Sequence, residues 1–314
     1  MAGTKEIQSR IRSIQDTMKI TKAMYMMSSM KLRKAKQKLE DTEPYFYGLS
    51  EEIASILYHF PDMQHLYFDN RAKDQKELVK KKGIIIITGD KGMAGAYNHN
   101  IIKEASALCD GAEDKKLFVV GEVGRSYFLN QGYPVDKDFH FSTNNPSIHR
   151  ARVMTEYIVD LYNNEQLDEV YVVYTHMINS MKSEVEVEQL MPLKTHEFLK
   201  HEMKEHEKQG QSDSDISEAE DWFLIYPSPK KVLEKLVYNY VTGFLYGVLV
   251  EGAASEENAR MQAMQAATNN AEEMLKELSI EYNRVRQAAI TQEITEVIGG
   301  AKALKKKKSK RGET

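Results

Sequence analysis

The sequence predicts a mixed fold class, α/β plus coiled coil, and three observations carry that prediction. Apolar residues recur at heptad spacing near each end of the chain, in two long stretches without a proline. Between them, short β-branched runs alternate with helical stretches, which is typical of a sheet covered by helices. Five segments result: an N-terminal helix (1–60), an α/β domain (80–195), an acidic insert (196–221), a C-terminal helix (222–304) and a basic tail (305–314).

The N-terminal segment carries one apolar seam. Its steps alternate between four and three residues, which predicts a helix that packs lengthwise against another helix. We expect the helix to resume after Pro44 and to stop near Pro61. The seam residues are Ile7, Ile11, Ile14, Met18, Thr21, Tyr25, Ser28, Leu32, Ala35 and Leu39.

The C-terminal segment mirrors the first, since no proline follows Pro229. A helix over residues 230–304 would be about 110 Å long at roughly 1.5 Å per residue, longer than a small domain. Two such helices most simply pair antiparallel, with a domain looped out between them. This seam is Met261, Met264, Thr268, Ala271, Leu275, Leu278, Tyr282, Val285 and Ala289, then, after a slip of one residue, Ile290, Ile294, Val297, Ala301 and Leu304.

The middle segment has the pattern of a parallel sheet. The runs "GIIIIT", "KLFVVG" and "EVYVVYT" have strand length and are rich in β-branched residues. Helical stretches separate them, and "SEVEVEQLMPL" alternates as a half-exposed edge strand does. We therefore expect a Rossmann-like α/β domain between the two long helices.

Two segments fall outside this plan. Residues 200–221 contain eight acidic and three basic residues and almost nothing apolar, which predicts a solvated, mobile insert. The last ten residues, "KKKKSKRGET", predict a disordered basic tail.

Composition excludes several classes of protein. A net charge of −4 argues against a molecule that binds nucleic acid through its overall charge. One cysteine, Cys109, excludes an internal disulfide framework and fits a reducing compartment. No apolar run approaches the roughly 20 residues that span a bilayer, and the N-terminus lacks the apolar core of a secretory signal.

The loop in "IIIITGDKGMAGAYNHNI", residues 84–101, is the one candidate for nucleotide chemistry. Counted from Gly89, the second glycine of a P-loop falls on Ala94 and its lysine on Gly95, and Lys91 breaks the dinucleotide-binding spacing. The other interpretation is a tight strand-to-helix connection, which the register favours. His196, His201 and His206 lie five apart, too far around a helix to share a metal ion. We expect no catalytic, cofactor-binding or metal-binding residue.

Positive charge is concentrated in the N-terminal helix. Residues 1–40 contain ten lysines or arginines and three acids, with five of the basic residues between Lys31 and Lys38. Two interpretations stay open: a solvated helix face, or a contact with an acidic partner. Nucleic acid is a weaker candidate partner because interleaved aromatic residues are missing.

Both ends of the chain closely resemble one known family. "IQSRIRSIQDTMKITKAMYMMSSMKLRKAK" and "EGAASEENARMQAMQAATNNAEEMLKELSIEYNRVRQAAITQEITEVIGGAKAL" are similar to the termini of the F1F0 ATP synthase gamma subunit of bacterial type. The loop with Thr88, Asp90, Gly92, Gly95 and Asn98 resembles that family's first strand–loop–helix. The resemblance covers the chain apart from the acidic insert and the basic tail.

The resemblance implies a non-catalytic rotor shaft. Such a shaft couples transmembrane ion flow, of protons in the usual case, to ATP synthesis or hydrolysis at sites on the beta subunits. The implied partners are the alpha, beta and epsilon subunits and the ring of c subunits, with delta in the same complex and no nucleic acid. The implied location is the cytoplasmic face of the bacterial plasma membrane, reached through the c-ring without insertion, and no cofactor is expected.

The resemblance also implies contact residues for the ring of alpha and beta subunits. Met24 matches the level where the shaft meets the beta levers, and the nearby basic run would face their acidic segment. The apolar end of the last helix resembles a tip held in a hydrophobic sleeve. Besides Met24, the implied contacts are Lys31, Arg33, Lys34, Arg286, Gln287, Thr291, Ile294 and Val297.

Two departures from the family pattern are visible, and two rival functions remain. The sequence has Ile225-Tyr226-Pro227 where the family often has Tyr-Glu-Pro, which puts a charged contact at the foot in doubt, and the tail extends past the usual end. The rivals are a free-standing coiled-coil adaptor with an α/β binding domain, and a nucleotide-dependent enzyme using the glycine loop.

Overall fold

The computed structural model describes residues 3–63, 65–68, 80–195, 198 and 225–309. The chain divides into two compact units. One is formed by Met1–Met27 with Met261–Thr314, and the other by Ser28–Arg260. Apart from Phe198, the predicted acidic insert lies outside the described residues, as do the three histidines spaced by five.

The first helix, α1, spans Gly3–His59 and continues through Pro44. A proline inside a helix removes one backbone hydrogen bond and crowds the preceding turn. The following turns are nevertheless anchored, because Leu49, Ile53 and Ala54 are buried. The interruption expected at Pro44 therefore does not occur.

The last helix, α5, spans Pro229–Ser309, and both of its ends differ from the prediction of 222–304. Residues 225–228 are not helical. Ser228 accepts a hydrogen bond from the backbone N–H of Lys231 at 3.4 Å, and Pro229 fits the first helical position, so the helix starts there. At the other end, lysine is a good helix former, and the helix includes residues 305–309 of the predicted disordered tail. Residues 310–314 lie outside the described residues.

In the unit formed by the chain ends, the two predicted seams are the least exposed faces. On α1, residues 7, 11, 14, 18, 21 and 25 are half-buried among exposed neighbours. On α5, Met264, Thr268 and Ala271 are buried. The Oγ1 atoms of Thr21 and Thr268 lie 2.9 Å apart, so the two seams meet. Burial ends at Ala289. Residues 290–302 are all exposed, so the continuation of the predicted seam through Ile290, Ile294, Val297 and Ala301 is not buried within the described part of the chain.

The other unit contains a four-stranded sheet of β1 (Lys81–Ile87), β2 (Asp114–Val120), β3 (Glu169–His176) and β4 (Glu184–Met191), in the order β2-β1-β3-β4. Strands β2, β1 and β3 are parallel, and β4 pairs antiparallel with β3. The predicted parallel sheet with an edge strand is thus confirmed. The helices between the strands are α2 (Tyr97–Asp110), α3 (Glu122–Asn130) and α4 (Ile148–Asn163).

The core of this unit lies on both faces of the sheet. Residues 84–87 of β1 and 117–120 of β2 are fully buried, as expected for parallel strands covered on both sides. Cys109 of α2 lies in the same core. Burial raises the pKa of its thiol to about 11, so Cys109 is a packed, unreactive side chain. No helix within the described ranges has both the length and the apolar content needed to cross a membrane.

Candidate functional site

A ligand of this sheet would bind at its carboxyl edge, between β1 and β3. From β1 the chain crosses to β2 on one side, while β3 pairs with β1 on the other side. Open α/β sheets bind nucleotides in the crevice at such a reversal of strand order. The glycine loop 88–96 lies at this edge, so the geometry of the crevice tests the nucleotide interpretation.

Helix α5 fills this crevice. The hydroxyl of Tyr97 donates to the carbonyl of Gly252 at 3.0 Å, and the hydroxyl of Ser255 donates to the carbonyl of Thr175 at 3.0 Å. A Cβ on Gly252 would lie 2.9 Å from Cγ2 of Ile87, so the helix backbone rests on the end of β1. The space that a nucleotide would need is taken by the protein's own helix.

The charge at the loop also opposes a phosphate. A Cβ on Gly89 would lie 2.8 Å from the carboxylate of Glu256, which places an acidic side chain against the loop. The N–H of Gly89 donates to Oδ1 of Asn98 at 2.8 Å and is therefore already used. The loop is a strand-to-helix connection packed against α5, which favours the second of the two interpretations.

Asp90 in the same loop holds a distant segment in place. Its carboxylate accepts from the backbone N–H of Thr143 at 3.1 Å, from the side-chain amide of Asn144 at 2.8 Å and from the hydroxyl of Ser142. Arg150 secures the same segment by donating to the carbonyl of Asn144 at 3.0 Å. The sequence gives no sign of this contact, because 52 residues separate Asp90 from Ser142.

A charge cluster is buried on α5 beside the loop. Arg260 forms ion pairs with Glu256 and, at 2.9 Å, with Glu257, and all three side chains are about one-tenth exposed. Burial raises the pKa of Glu256 despite its pair with Arg260. Sequence reasoning missed this cluster, although "ASEENARM" carries a signal: charges three and four residues apart within a run of small residues.

The basic run of α1 divides into engaged and free side chains. Nζ of Lys31 lies 2.9 Å from Oε1 of Glu257. Burial disfavours the charged form of Glu257, but hydrogen bonds from Lys31 and Ser28 outweigh it and lower its pKa. Lys38 donates to the carbonyl of Pro146 at 3.0 Å. Arg33 and Lys34 are exposed, and within the described ranges neither has an ion pair.

The remaining predicted contact residues lie in the unit formed by the chain ends. Met24 is half-buried beside the α1 seam, and Arg286, Gln287 and Thr291 are exposed on α5. Ile294 and Val297 are 53% and 72% exposed, large values for apolar side chains. Lys31, Arg33 and Lys34 belong to the other unit.

Comparison with known proteins gives consistent matches over nearly the whole chain. A family model described as ATP synthase matches residues 3–304. The "ATP synthase gamma chain" of Ruminiclostridium cellulolyticum is 45% identical over 301 residues, covering 96% of this chain and 98% of the relative. That of Acetivibrio thermocellus is 44% identical over 305 residues, covering 97% of this chain and 100% of the relative.

Among solved structures, a chain of the Euglena gracilis mitochondrial ATP synthase, from a structure of its OSCP, F1 and c-ring, has a similar fold. The TM-score is 0.63 at 15% identity, covering 96% of this chain and 95% of that one.

Proposed function

Because the chain belongs to the ATP synthase gamma chain family, we propose that it is the central rotor shaft of the F1 sector. The observation that carries this proposal is the family match over residues 3–304. The shaft couples ion flow through the membrane, of protons in the usual case, to ATP synthesis or hydrolysis on the beta subunits. The chain itself is not catalytic and binds no cofactor.

The shaft is formed by α1 and α5 as an antiparallel coiled coil. Support comes from the two heptad seams, which are less exposed than their neighbours from Ile7 to Tyr25 and from Met261 to Ala289, and from the contact between Thr21 and Thr268. Lys22 and Glu272 add an ion pair of 3.1 Å along the same boundary. Knobs-into-holes packing along such seams gives a helix pair the stiffness that transmission of torque requires.

The end of α5 enters the ring of alpha and beta subunits. Residues 290–302 are exposed, and they include Ile294 and Val297, which have no apolar cover within the described part of the chain. An exposed apolar helix end in an otherwise charged chain is typical of a surface that another protein covers. Arg286, Gln287 and Thr291 supply polar contacts below this end, and Met24, Lys31, Arg33 and Lys34 meet the beta levers.

The same assignment sets the partners and the location. The chain contacts the alpha, beta and epsilon subunits and the c-ring, with delta in the same complex. It is a peripheral protein at the cytoplasmic face of the bacterial plasma membrane, held there through the c-ring. The contacts that change as the shaft turns shift the populations of open and closed beta subunits, which is a coupling of conformations.

Co-expression with alpha and beta subunits tests the proposal. We expect three alpha, three beta and one copy of this chain to elute as one complex with ATPase activity. The matched control is a chain with residues 290–314 deleted, which lacks the exposed end of α5. If the intact chain fails to join alpha and beta and stays folded alone, the coiled-coil adaptor becomes the better interpretation.

A second experiment tests the polar contacts. Replacing Arg286 and Gln287 together by alanine should lower ATP-driven proton pumping relative to ATP hydrolysis, because these contacts change as the shaft turns. The pair Lys276→Ala and Glu277→Ala, exposed on the same helix, controls for altered helix stability. Unchanged pumping in the Arg286 and Gln287 variant would remove these residues from the coupling contacts.

A further inference from the structure

A groove of about 280 Å³ lies between α1 and α5 in the unit that contains the sheet. Five of its twelve lining residues are aromatic, and β3 contributes one of them, Tyr174. We call it the aromatic groove. Its characteristic residues are Phe46, Tyr47, Tyr240, Phe244, Glu43 and Glu251.

Two glycines, one turn apart on α5, create the aromatic groove. A Cβ on Gly243 would lie 1.3 Å from Cε1 of Phe46, so the Phe46 ring occupies the notch that this glycine leaves. A Cβ on Gly247 would meet nothing within 4 Å, so the space above that residue is open. Glycine weakens a helix interior, and two of them here maintain a notch and an opening.

The charge around the aromatic groove is negative. Glu43 of α1 and Glu251 of α5 line it, and no lysine or arginine does among the described residues. On β3, the hydroxyl of Tyr174 bonds to Glu186 at 3.1 Å and to Glu188 at 2.9 Å, both on β4.

Glu251 pairs with His176 of β3. Burial raises the pKa of both Glu188 and Glu251. Repulsion by the carboxylate of Glu186 raises both pKa values further. A cation placed here would relieve that repulsion.

We propose that the aromatic groove receives an arginine side chain presented by a partner chain. A guanidinium group stacks on aromatic faces and pairs in the plane with a carboxylate, so Tyr47, Tyr240 and Glu251 together offer what it recognises. The volume is just below the range of about 300 to 1,000 Å³ typical of small-molecule sites, which fits one side chain. The proposal rests on the proposed function only in expecting that partner to be another subunit of the complex.

A titration of the full chain tests the chemistry without any partner. N-acetyl-arginine amide is the probe, and N-acetyl-citrulline amide, which has the same shape without the charge, is the control. We expect the arginine probe to shift the ring NMR signals of labelled Tyr47 and Phe46 and the citrulline probe to bind at least tenfold more weakly. Equal binding of the two probes, or no binding, overturns the proposal.

Two variants locate the binding. Gly247→Leu should fill the open space and abolish the shifts, and Glu251→Gln should weaken binding at least fivefold. Gly48→Leu on α1 is the matched control, because a Cβ there also meets nothing within 4 Å but Gly48 does not line the groove. The melting temperatures of both leucine variants should stay at or above the original value. Binding that survives Gly247→Leu places the probe elsewhere and refutes the proposal.

Cross-linking in the assembled complex identifies the partner. A photoreactive benzoylphenylalanine at position 47, where Tyr47 is 54% exposed, should attach to a partner segment that contains arginine. Gly247→Leu should abolish that cross-link. A cross-link to a second copy of this chain or to an apolar segment contradicts the proposal. Failure of the chain to assemble with alpha and beta would count against the proposed function, while the titration still decides the groove.

Discussion

Gly121 shows how one residue can fix the junction of three elements. It follows β2, has φ of 91° and begins the turn into α3. Thr88, at the end of β1, donates its hydroxyl to the carbonyl of Val120 at 2.9 Å and accepts from the N–H of Gly124 at 3.1 Å. A side chain on Gly121 would collide with this arrangement, since its Cβ would lie 2.1 Å from the carbonyl oxygen of Thr88.

We expect Gly121→Ala to lower the free energy of unfolding by about 3 kcal/mol or more, from the collision and the positive φ together. Gly132→Ala is the control, because Gly132 has φ of 80° but a Cβ there meets nothing within 4 Å. That variant should lose only about 1 to 2 kcal/mol. Urea unfolding of the full chain measures both variants. Equal losses of unfolding free energy would show that the structure relaxes to accommodate the Cβ at position 121.

The carboxylates of Glu256 and Glu257 are adjacent in sequence but have opposite pKa shifts. The pKa of Glu257 is lowered, so its stabilisation is present above its ordinary value of 4.5 and is lost as the pH falls through the lower, folded-state pKa. The pKa of Glu256 is raised by burial, so its ionisation opposes folding at neutral pH.

Glu257→Gln should therefore cost about 2 kcal/mol near pH 7, from the loss of charged hydrogen bonds, and the cost should shrink as the pH falls below 4.5. Glu256→Gln is the comparison, and its effect should change with pH in the opposite direction. Denaturant unfolding at a series of pH values measures both variants. Parallel pH profiles would contradict the assigned directions.

At the scale of elements, α5 differs along its length. Most of its residues from 252 to 260 are buried in the unit that contains the sheet, its seam is half-buried as far as Ala289, and residues 290–302 are exposed. A segment that packs on nothing contributes little to the stability of the isolated chain.

Deletion of residues 290–314 should therefore change the free energy of unfolding of the isolated chain by less than about 1 kcal/mol. Deletion from residue 275 is the control, because it also removes Leu275, Leu278 and Tyr282, which are half-buried in the seam. That second deletion should unfold the helix pair at a clearly lower temperature, as circular dichroism would report. A large loss in the shorter deletion would mean that residues 290–314 are covered within the chain.

At the scale of the whole molecule, the basic run of α1 has side chains that contact the chain itself and side chains that are exposed to a partner. Lys31 is paired with Glu257 within the chain, so reversing its charge would disturb the fold as well as any partner. Arg33 and Lys34 are exposed, and they give the cleaner test of an acidic partner.

Arg33→Glu with Lys34→Glu should weaken assembly with the alpha and beta subunits at low ionic strength. The deficit should shrink toward 1 M salt, where the screening length is about 3 Å. Lys103→Glu with Lys137→Glu is the control, with the same change in net charge at exposed positions of the α/β domain. Assembly rates by light scattering at several salt concentrations measure the effect. If the two double variants assemble equally at every salt concentration, the basic run of α1 is a solvated helix face.

The repetitive features of this fold could be predicted from the sequence, because local periodicity carries them. The heptad residues from Ile7 to Ala289 and the apolar runs of β1, β2 and β3 each reflect which side of one element is buried. The ends of α5 were less predictable. Helix termini depend on single capping residues such as Ser228 and on how far lysines extend the last turns.

Only the tertiary structure decided the contacts between residues that are far apart in the chain. The glycine loop near Gly89 resembles a phosphate cradle in sequence, and its spacing alone argued against one. The three-dimensional arrangement adds the reason, because Glu256 and the backbone of Gly252 occupy the crevice. Likewise, the sequence does not distinguish Lys31 from the other lysines of the basic run, whereas in the folded chain Lys31 pairs with Glu257. Periodicity reports which face of an element is buried, but only the folded chain determines which charges and rings that face meets.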